Sequence, residues 1–210
     1  MKALHYLNQL KIHDHNSYTH SIRVGYLACF LRAHYKLSKD FVYAAFFHDI
    51  GKLYIPSRIL SKKERLTDSE YALIKLHPKL GYQLLAEGEC SVYTRNLVLM
   101  HHEKYVGGGY PDGQVDTQLE SNLLTLIDSY DAINAARSYS NAVPQQEVLS
   151  ILQKSIDIQF SQTAYTMFIA FLSTIDCSVL DDSVVTLPSQ QWETLKTEKD
   201  IMCPIVSHAE

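Results

Sequence analysis

A His–Asp pair follows directly after an apolar run in the first quarter of the chain. His48 and Asp49 come after Ala-Ala-Phe-Phe at 44–47, and Lys52 stands three residues further on. Charged side chains are seldom buried unless they are paired or coordinate a metal. The pair therefore lies either at a solvated helix end or beside a bound cation.

Other imidazole and carboxylate groups could join this pair, namely His20, His77, His101, His102 and Asp128. These ligand types suit Mn²⁺, Fe²⁺, Zn²⁺ or Ni²⁺, and the absence of paired cysteines argues against a structural zinc site. Five imidazoles and two carboxylates are too many for one ion, but they suit two ions that share a carboxylate. Any one histidine alone fits a satisfied polar group better than a ligand, and we assign the others to that class: His5, His13, His15, His34 and His208.

Helices are predicted to position these residues. Gly51 provides a stop for the helix that carries the His–Asp pair. Thr67 and Glu70 have the spacing of a capping box, and Pro78 disfavours helical geometry at His77. His20 is predicted at a helix start. The predicted helices cover 20–33, 39–48, 67–77, 79–87, 92–102, 119–136, 144–156 and 163–174.

The pattern changes in two places. Residues 103–113 contain three consecutive glycines and a proline, which favours a loop. After residue 176 the chain has short β-rich segments separated by turn residues, at 184–187, 192–195 and 201–206. We therefore predict an all-α helical domain over 1–175 and a small β-rich C-terminal appendage over 176–210.

Composition limits the classes of function. The chain is 46% hydrophobic and 20% charged, which is typical of a globular protein. A net charge of −4 argues against a nucleic-acid polymer as partner, although a metal could hold a small anion. The four scattered cysteines predict free thiols in a reducing compartment, and no apolar run is long enough to span a membrane. We expect a cytoplasmic protein.

The local sequence around the candidate ligands resembles the HD-GYP family, a branch of the HD-domain metal phosphohydrolases. The resemblance runs from about Asp14 to Phe160, with the motifs in the family's order and spacing. The matching segments are HSIRV (20–24), HDIGKLYIP (48–56), LTDSEYALIKLHPKLGYQLL (66–85), HHE (101–103), GGGYPDG (107–113) and DSYDAI (128–133).

This resemblance implies an HD-domain helical bundle and a binuclear centre of iron or manganese. One ion would take His20, His48 and Asp128, the other would take His77, His101 and His102, and Asp49 would bridge them. Lys52 would act beside Asp49 in catalysis and contact a phosphate of the substrate. Tyr110 of the loop and Arg137 would also contact the substrate. Ligand-orienting positions, which fit ordinary structural ion pairs equally well, are Arg23, Glu103 and Asp131.

The activity implied by the resemblance is hydrolysis of cyclic di-GMP to linear pGpG, with GMP as a further product. Two divalent ions would lower the pKa of a bridging water, so that hydroxide attacks phosphorus in line. The family's GYP loop, residues 109–111, also suggests a contact with a protein partner.

The chain departs from the family pattern at three positions. Asn16 stands where relatives with a third metal have Glu, so we predict two ions. Val106 replaces an Asp before the glycines, which predicts a less firmly anchored loop. Ser140 replaces a basic residue in the substrate segment, although Arg137 is kept, and the loss of one charge-assisted contact would cost about 1.5–3 kcal/mol of binding.

Two alternatives follow from these departures. The chain could be a regulatory module that binds cyclic di-GMP or a protein partner with little turnover. It could also keep the metal chemistry but act on another nucleotide or phosphate ester.

Overall fold

The computed structural model describes residues 2–137 and 145–174, and this part of the chain is helical. Within these ranges the only β-type pairings are two isolated bridges, between Lys104 and Val115 and between Ile156 and Phe160. A short 3₁₀ helix covers Ile50–Tyr54. The α-helices are α1 (Lys2–His13), α2 (His15–Tyr35), α3 (Lys39–Phe47), α4 (Ser57–Leu60), α5 (Asp68–Ile74), α6 (His77–Glu87), α7 (Val92–Met100), α8 (Leu119–Arg137), α9 (Gln145–Gln153) and α10 (Gln162–Leu172).

The core forms around α2, which packs against α1, α3, α8 and α10. Large apolar side chains of α3 and α8 are buried in this core, and their burial favours the arrangement. No helix of the described ranges is long and apolar enough to cross a membrane. Fully buried members of the core include Leu31, Phe41, Phe46, Phe47, Leu123 and Ile127.

Side-chain caps fix where several helices begin. The Asp14 carboxylate accepts a hydrogen bond from the Ser17 amide at 3.1 Å, so α2 begins at His15. His20 therefore lies in the second turn of α2, and its predicted place at a helix start was wrong. The capping box of Thr67 and Glu70 is present as predicted, with both reciprocal hydrogen bonds formed.

A break beside His77 is present, but it lies at 75–76: α5 ends at Ile74 and α6 begins at His77 with Pro78 in its first turn, so the predicted loss of helical geometry at His77 itself was wrong. The role predicted for Gly51 was wrong in detail. The chain passes from α3 through His48 and Asp49 into the 3₁₀ helix, and Gly51 lies inside that helix rather than at a left-handed helix end. Its small size matters instead for close packing against α6.

Three elements were not predicted: α1, the 3₁₀ helix and α4. The buried residues Ala3, Leu7 and Leu10 have a helical spacing that could have revealed α1. The predicted β-rich appendage and the domain boundary at residue 175 lie outside the described residues.

Candidate metal centre

Histidines at helix ends point their rings into one site. His48 follows α3, His77 begins α6 just after α5, and His101 follows α7. Each ring places Nδ1 near the carbonyl oxygen three residues earlier, at 2.8 Å from Ala45, 2.8 Å from Ile74 and 2.6 Å from Val98. A carbonyl only accepts, so Nδ1 carries the proton and donates. These bonds satisfy carbonyls left free at helix ends and leave each Nε2 lone pair facing the site.

These lone pairs face one another at short range. Nε2 of His77 lies 3.1 Å from Nε2 of His101. Burial, first among the causes, lowers the pKa of His77 to about 3 and that of His101 to about 4, so both rings are neutral near pH 7. Two lone pairs at this distance repel unless a cation lies between them. The donor set therefore fits a bound metal ion, which His102 joins because its ligand atom lies within 4.8 Å of the other two.

Asp49 lies between this group of imidazoles and a second group, which contains His48 and His20. Its Oδ1 lies 3.4 Å from Nε2 of His77, whereas its Oδ2 lies 3.6 Å from Nε2 of His48 and 4.0 Å from Nε2 of His20. The residue is 1% exposed. Burial raises the pKa of this carboxyl, but the Lys52 ammonium, 2.6 Å from Oδ2, and the surrounding imidazoles outweigh it and hold the pKa well below its usual range.

His20 is held by two carboxylates of α8. Its Nε2 lies 2.8 Å from Oδ1 of Asp128 and its Nδ1 lies 2.7 Å from Oδ2 of Asp131. Burial would lower the pKa of this imidazole, but the two carboxylates raise it to about 10. The ring therefore carries a proton between His20 and Asp128, where a bound cation would take the proton's place. His48 also lies near, with Nε2 3.2 Å from that of His20.

Arg23 forms a bidentate ion pair with Asp131. Its Nε donates to Oδ1 at 2.7 Å and its Nη2 donates to Oδ2 at 2.8 Å. Such outer partners set the tautomer and orientation of a ligating histidine. Arg23 and Asp131 thus have the ligand-orienting geometry that the sequence suggested, although the role itself stays a prediction.

Replacing Arg23 by Met is expected to weaken metal binding about 10- to 100-fold, since Asp131 would lose its orientation and its counter-charge. The measurement is the apparent dissociation constant for Mn²⁺ from competition with a chelator. Lys154→Met, which removes an exposed positive charge from the end of α9, is the matched control and should leave the constant unchanged. An Arg23 variant with wild-type affinity would contradict this role.

The glycine-rich loop packs directly behind His102. A Cβ at Gly109 would lie 2.3 Å from the His102 carbonyl oxygen, so only glycine fits. The Tyr110 ring stacks obliquely on the His102 ring with centroids 4.5 Å apart, and burial raises the pKa of its hydroxyl. Tyr110 therefore covers one side of a candidate ligand.

Glu103 anchors this loop, whereas the sequence suggested that it orients a ligand. Its Oε1 accepts hydrogen bonds from the amides of Asp112 and Gly113 at 2.6 and 2.9 Å. The side chain of Val106 is 58% exposed, and the hydrogen bonds of Glu103 across the loop do not involve it. The weaker anchoring predicted from Val106 stays a prediction, but Glu103 supplies two contacts that the sequence did not suggest.

Replacing Glu103 by Ala is expected to speed hydrogen exchange at the Asp112 and Gly113 amides about tenfold or more, because each loses its acceptor. Glu103→Gln keeps an acceptor oxygen in place and should exchange close to the wild-type rate. The measurement is amide hydrogen exchange followed by mass spectrometry or NMR. Equal protection in all three proteins would mean that Glu103 does not hold the loop.

The site opens into a cavity of about 930 Å³. Its polar side is lined by five of the seven candidate ligands together with Lys52, Arg23 and Asn16. The five ligands are His20, Asp49, His77, His102 and Asp128. Its other wall comes from α4, α5 and the loop between them. Residues of this wall are Ile59, Leu60, Lys62, Leu66 and Ile74.

The structure brings most of the predicted site residues together. The seven candidate ligands fall into overlapping groups, each with ligand atoms within 4.8 Å of one another: His20, His48 and Asp49; His48, His101 and Asp128; and His77, His101 and His102. Lys52 and Tyr110 line the cavity beside them. The side chain of Arg137 and the whole of Ser140 lie outside the described residues.

Sequence reasoning missed the wall formed by α4 and α5. Lys62 lies in the segment between α4 and α5 and pairs with Glu70 of α5, so no single helix contains both residues and no periodicity relates them. The capping box gave the position of Glu70, but nothing in the sequence connected Lys62 to the site.

Comparisons of sequence and structure identify related proteins. A family model described as HD domain matches residues 10–160. A cyclic di-GMP phosphodiesterase of Thermotoga maritima is 33% identical over 155 residues, covering 70% of this chain and 42% of the relative. The cyclic di-GMP phosphodiesterase response regulator RpfG of Xanthomonas campestris is 38% identical over 113 residues, covering 52% of this chain and 30% of the relative.

A solved structure has the same fold. The HD domain of the Listeria monocytogenes phosphodiesterase PgpH, solved in complex with cyclic-di-AMP, superimposes with a TM-score of 0.62 over 80% of this chain and 93% of that one, at 17% identity. This likeness supports the all-α architecture. The matched segment spans less than half the length of either sequence relative.

Proposed function

The chain belongs to the HD-domain family, and on that basis we propose that it is a metal-dependent phosphodiesterase that hydrolyses cyclic di-GMP. The observation that carries the proposal is the position of Asp49, whose two oxygens face two different groups of imidazoles. A carboxylate placed in this way can be shared by two ions, which is the arrangement that suits phosphoryl chemistry. The names of the two sequence relatives point to the same substrate.

Two groups of ligands would hold the ions. His20, His48 and Asp128 would form the first, His77, His101 and His102 would form the second, and Asp49 would belong to both. Divalent ions such as Mn²⁺ or Fe²⁺ would supply Lewis-acid chemistry to the scissile phosphate when bound. Asn16 supplies a neutral amide where a third ion would need a carboxylate, so we propose two ions.

The chain's own residues would bind the substrate and move protons. Lys52 lines the cavity and touches Asp49, so its ammonium can contact a phosphoryl oxygen and give a proton to the leaving O3′. In the net reaction water adds OH to phosphorus, the P–O3′ bond breaks, and O3′ gains the proton. The product would be linear pGpG, and a second cleavage would give GMP. Tyr110 and Arg137 are proposed to hold the nucleotide.

A protein partner at the glycine-rich loop is a further proposal. Val106 lies in the loop and Val115 lies beside Gly107 of the loop, with 58% and 63% of their surface exposed, and exposed apolar side chains at one loop suit a protein contact.

Product analysis by chromatography tests the proposed activity. Purified protein loaded with Mn²⁺ or Fe²⁺ under reducing conditions is incubated with cyclic di-GMP, beside an Asp49→Ala variant. Linear pGpG or GMP from the wild type alone is the expected result. Unchanged cyclic di-GMP, with two metal ions bound per chain, would overturn the proposal and direct attention to another phosphate ester or to a binding role.

A further inference from the structure

The cavity is larger than a phosphate group, and one of its walls is apolar. The polar side is made of ligands and charged groups, whereas the wall from α4 and α5 presents the half-buried aliphatic side chains of Leu60, Leu66 and Ile74. Apolar walls with a few fixed polar groups are typical of sites for flat organic groups. The wall also adjoins the centre directly, because the Ile74 carbonyl holds the ring of His77.

One polar group stands in this wall, and it is held in place. The Lys62 ammonium donates to both carboxylate oxygens of Glu70, at 2.8 and 2.6 Å. Glu70 is fixed in turn by the Thr67 amide, which donates to Oε2 at 2.8 Å as part of the capping box. These bonds lower the pKa of Glu70 to about 2, so it remains ionised at any physiological pH. Lys62 is therefore more ordered than a free surface lysine.

The pairing determines what Lys62 can bind. An ammonium has three N–H donors, and Glu70 occupies at most two of them. Lys62 makes no other hydrogen bond within the described ranges, so at least one donor remains for a molecule in the cavity. Since the charge of Lys62 is compensated by Glu70, a second anion such as phosphate would gain little there. A neutral acceptor beside an apolar surface suits this position better.

We propose that Lys62 reads the base of the bound nucleotide and favours guanine over adenine. The inference rests on the proposed function, since it takes the cavity to hold a purine dinucleotide. The base would lie against Leu60, Leu66 and Ile74 while Lys62 donates to its edge. Guanine offers two acceptors there, N7 and O6, whereas adenine offers N7 and a donor amino group that would face the ammonium. Lys62 is thus a specificity-determining residue.

Binding and turnover of cyclic di-GMP and cyclic di-AMP test this inference, using the full chain loaded with Mn²⁺. Lys62→Met keeps the length of the side chain and removes the donor. We expect its dissociation constant and KM for cyclic di-GMP to rise about tenfold while kcat and the constants for cyclic di-AMP stay unchanged. Glu70→Gln weakens the pairing that orders Lys62, so it should lower the preference for cyclic di-GMP over cyclic di-AMP by a smaller factor. The exposed neighbour Lys63→Met is the matched control.

The possible outcomes separate the inference from the proposed activity. Turnover of cyclic di-GMP with an unchanged guanine preference in Lys62→Met would overturn the inference and leave the activity standing. Binding with a preference that depends on Lys62, but without hydrolysis, would support the inference and overturn the activity. No binding of either dinucleotide would overturn both. An equal loss for both dinucleotides would identify Lys62 as a structural residue and contradict the inference.

Discussion

Replacing Asp49 by Asn is expected to reduce the turnover of cyclic di-GMP by about a thousandfold or more, which corresponds to about 4 kcal/mol of transition-state stabilisation. Asp49 is the residue that faces both groups of imidazoles. Asn has nearly the same shape but only one oxygen, and it carries no charge. It can therefore serve one ion at most, and poorly, because hard and borderline cations prefer anionic oxygen.

Metal content and turnover are measured on the same samples for this prediction. Wild-type protein should bind two ions per chain, and Asp49→Asn should bind at most one after dialysis. Asp131→Asn is the informative comparison, because Asp131 is also a buried carboxylate on the His20 ring but lies outside the ligand groups. We expect the turnover of Asp131→Asn to fall by no more than about 100-fold. A wild-type metal content and rate in Asp49→Asn would show that this carboxylate is not shared.

Sequence reasoning grouped the candidate ligands because imidazole and carboxylate suit the same metals and because the local sequence around them resembles one family. His48–Asp49, His77 and the pair at 101–102 were predicted to form one centre, and the structure brings them together. Several helix boundaries were also predictable, because capping residues such as Thr67 and a proline such as Pro78 in a first helical turn act locally. These features depend on a few neighbouring residues and can be recognised without the rest of the chain.

Features that depend on contacts between distant segments were not predictable. Lys62 joins the cavity wall only because α4 and α5 fold over the centre, and Glu103 anchors amides nine and ten residues further on. Gly51 was interpreted as a helix stop because the sequence does not reveal which helix packs against it. In each case the role of the residue depends on a contact with a distant segment, and tertiary packing brings that segment close.

Replacing Gly51 by Ala is the second change with a large expected effect, and it acts on fold and site together. A Cβ at this position would lie 2.0 Å from the carbonyl oxygen of His77 and 2.6 Å from the amide nitrogen of Gly81. Both are backbone atoms of α6, so no side chain can move aside to make room. The 3₁₀ helix and α6 would have to separate. We expect the free energy of unfolding to fall by about 3 kcal/mol or more.

This separation should also disturb the metal centre. The displaced segment begins at His77, whose Nε2 faces Oδ1 of Asp49, so the second group of ligands would lose its geometry while His20 and Asp128 stay in place. Urea unfolding and Mn²⁺ titration of the folded variant are the two measurements, and we expect weaker binding of one ion. Gly88→Ala is the matched control, because its Cβ would meet nothing nearer than 3.4 Å, and it should gain up to about 1 kcal/mol. A Gly51→Ala protein as stable as the wild type, with both ions bound, would mean that α6 does not need this close approach to set His77.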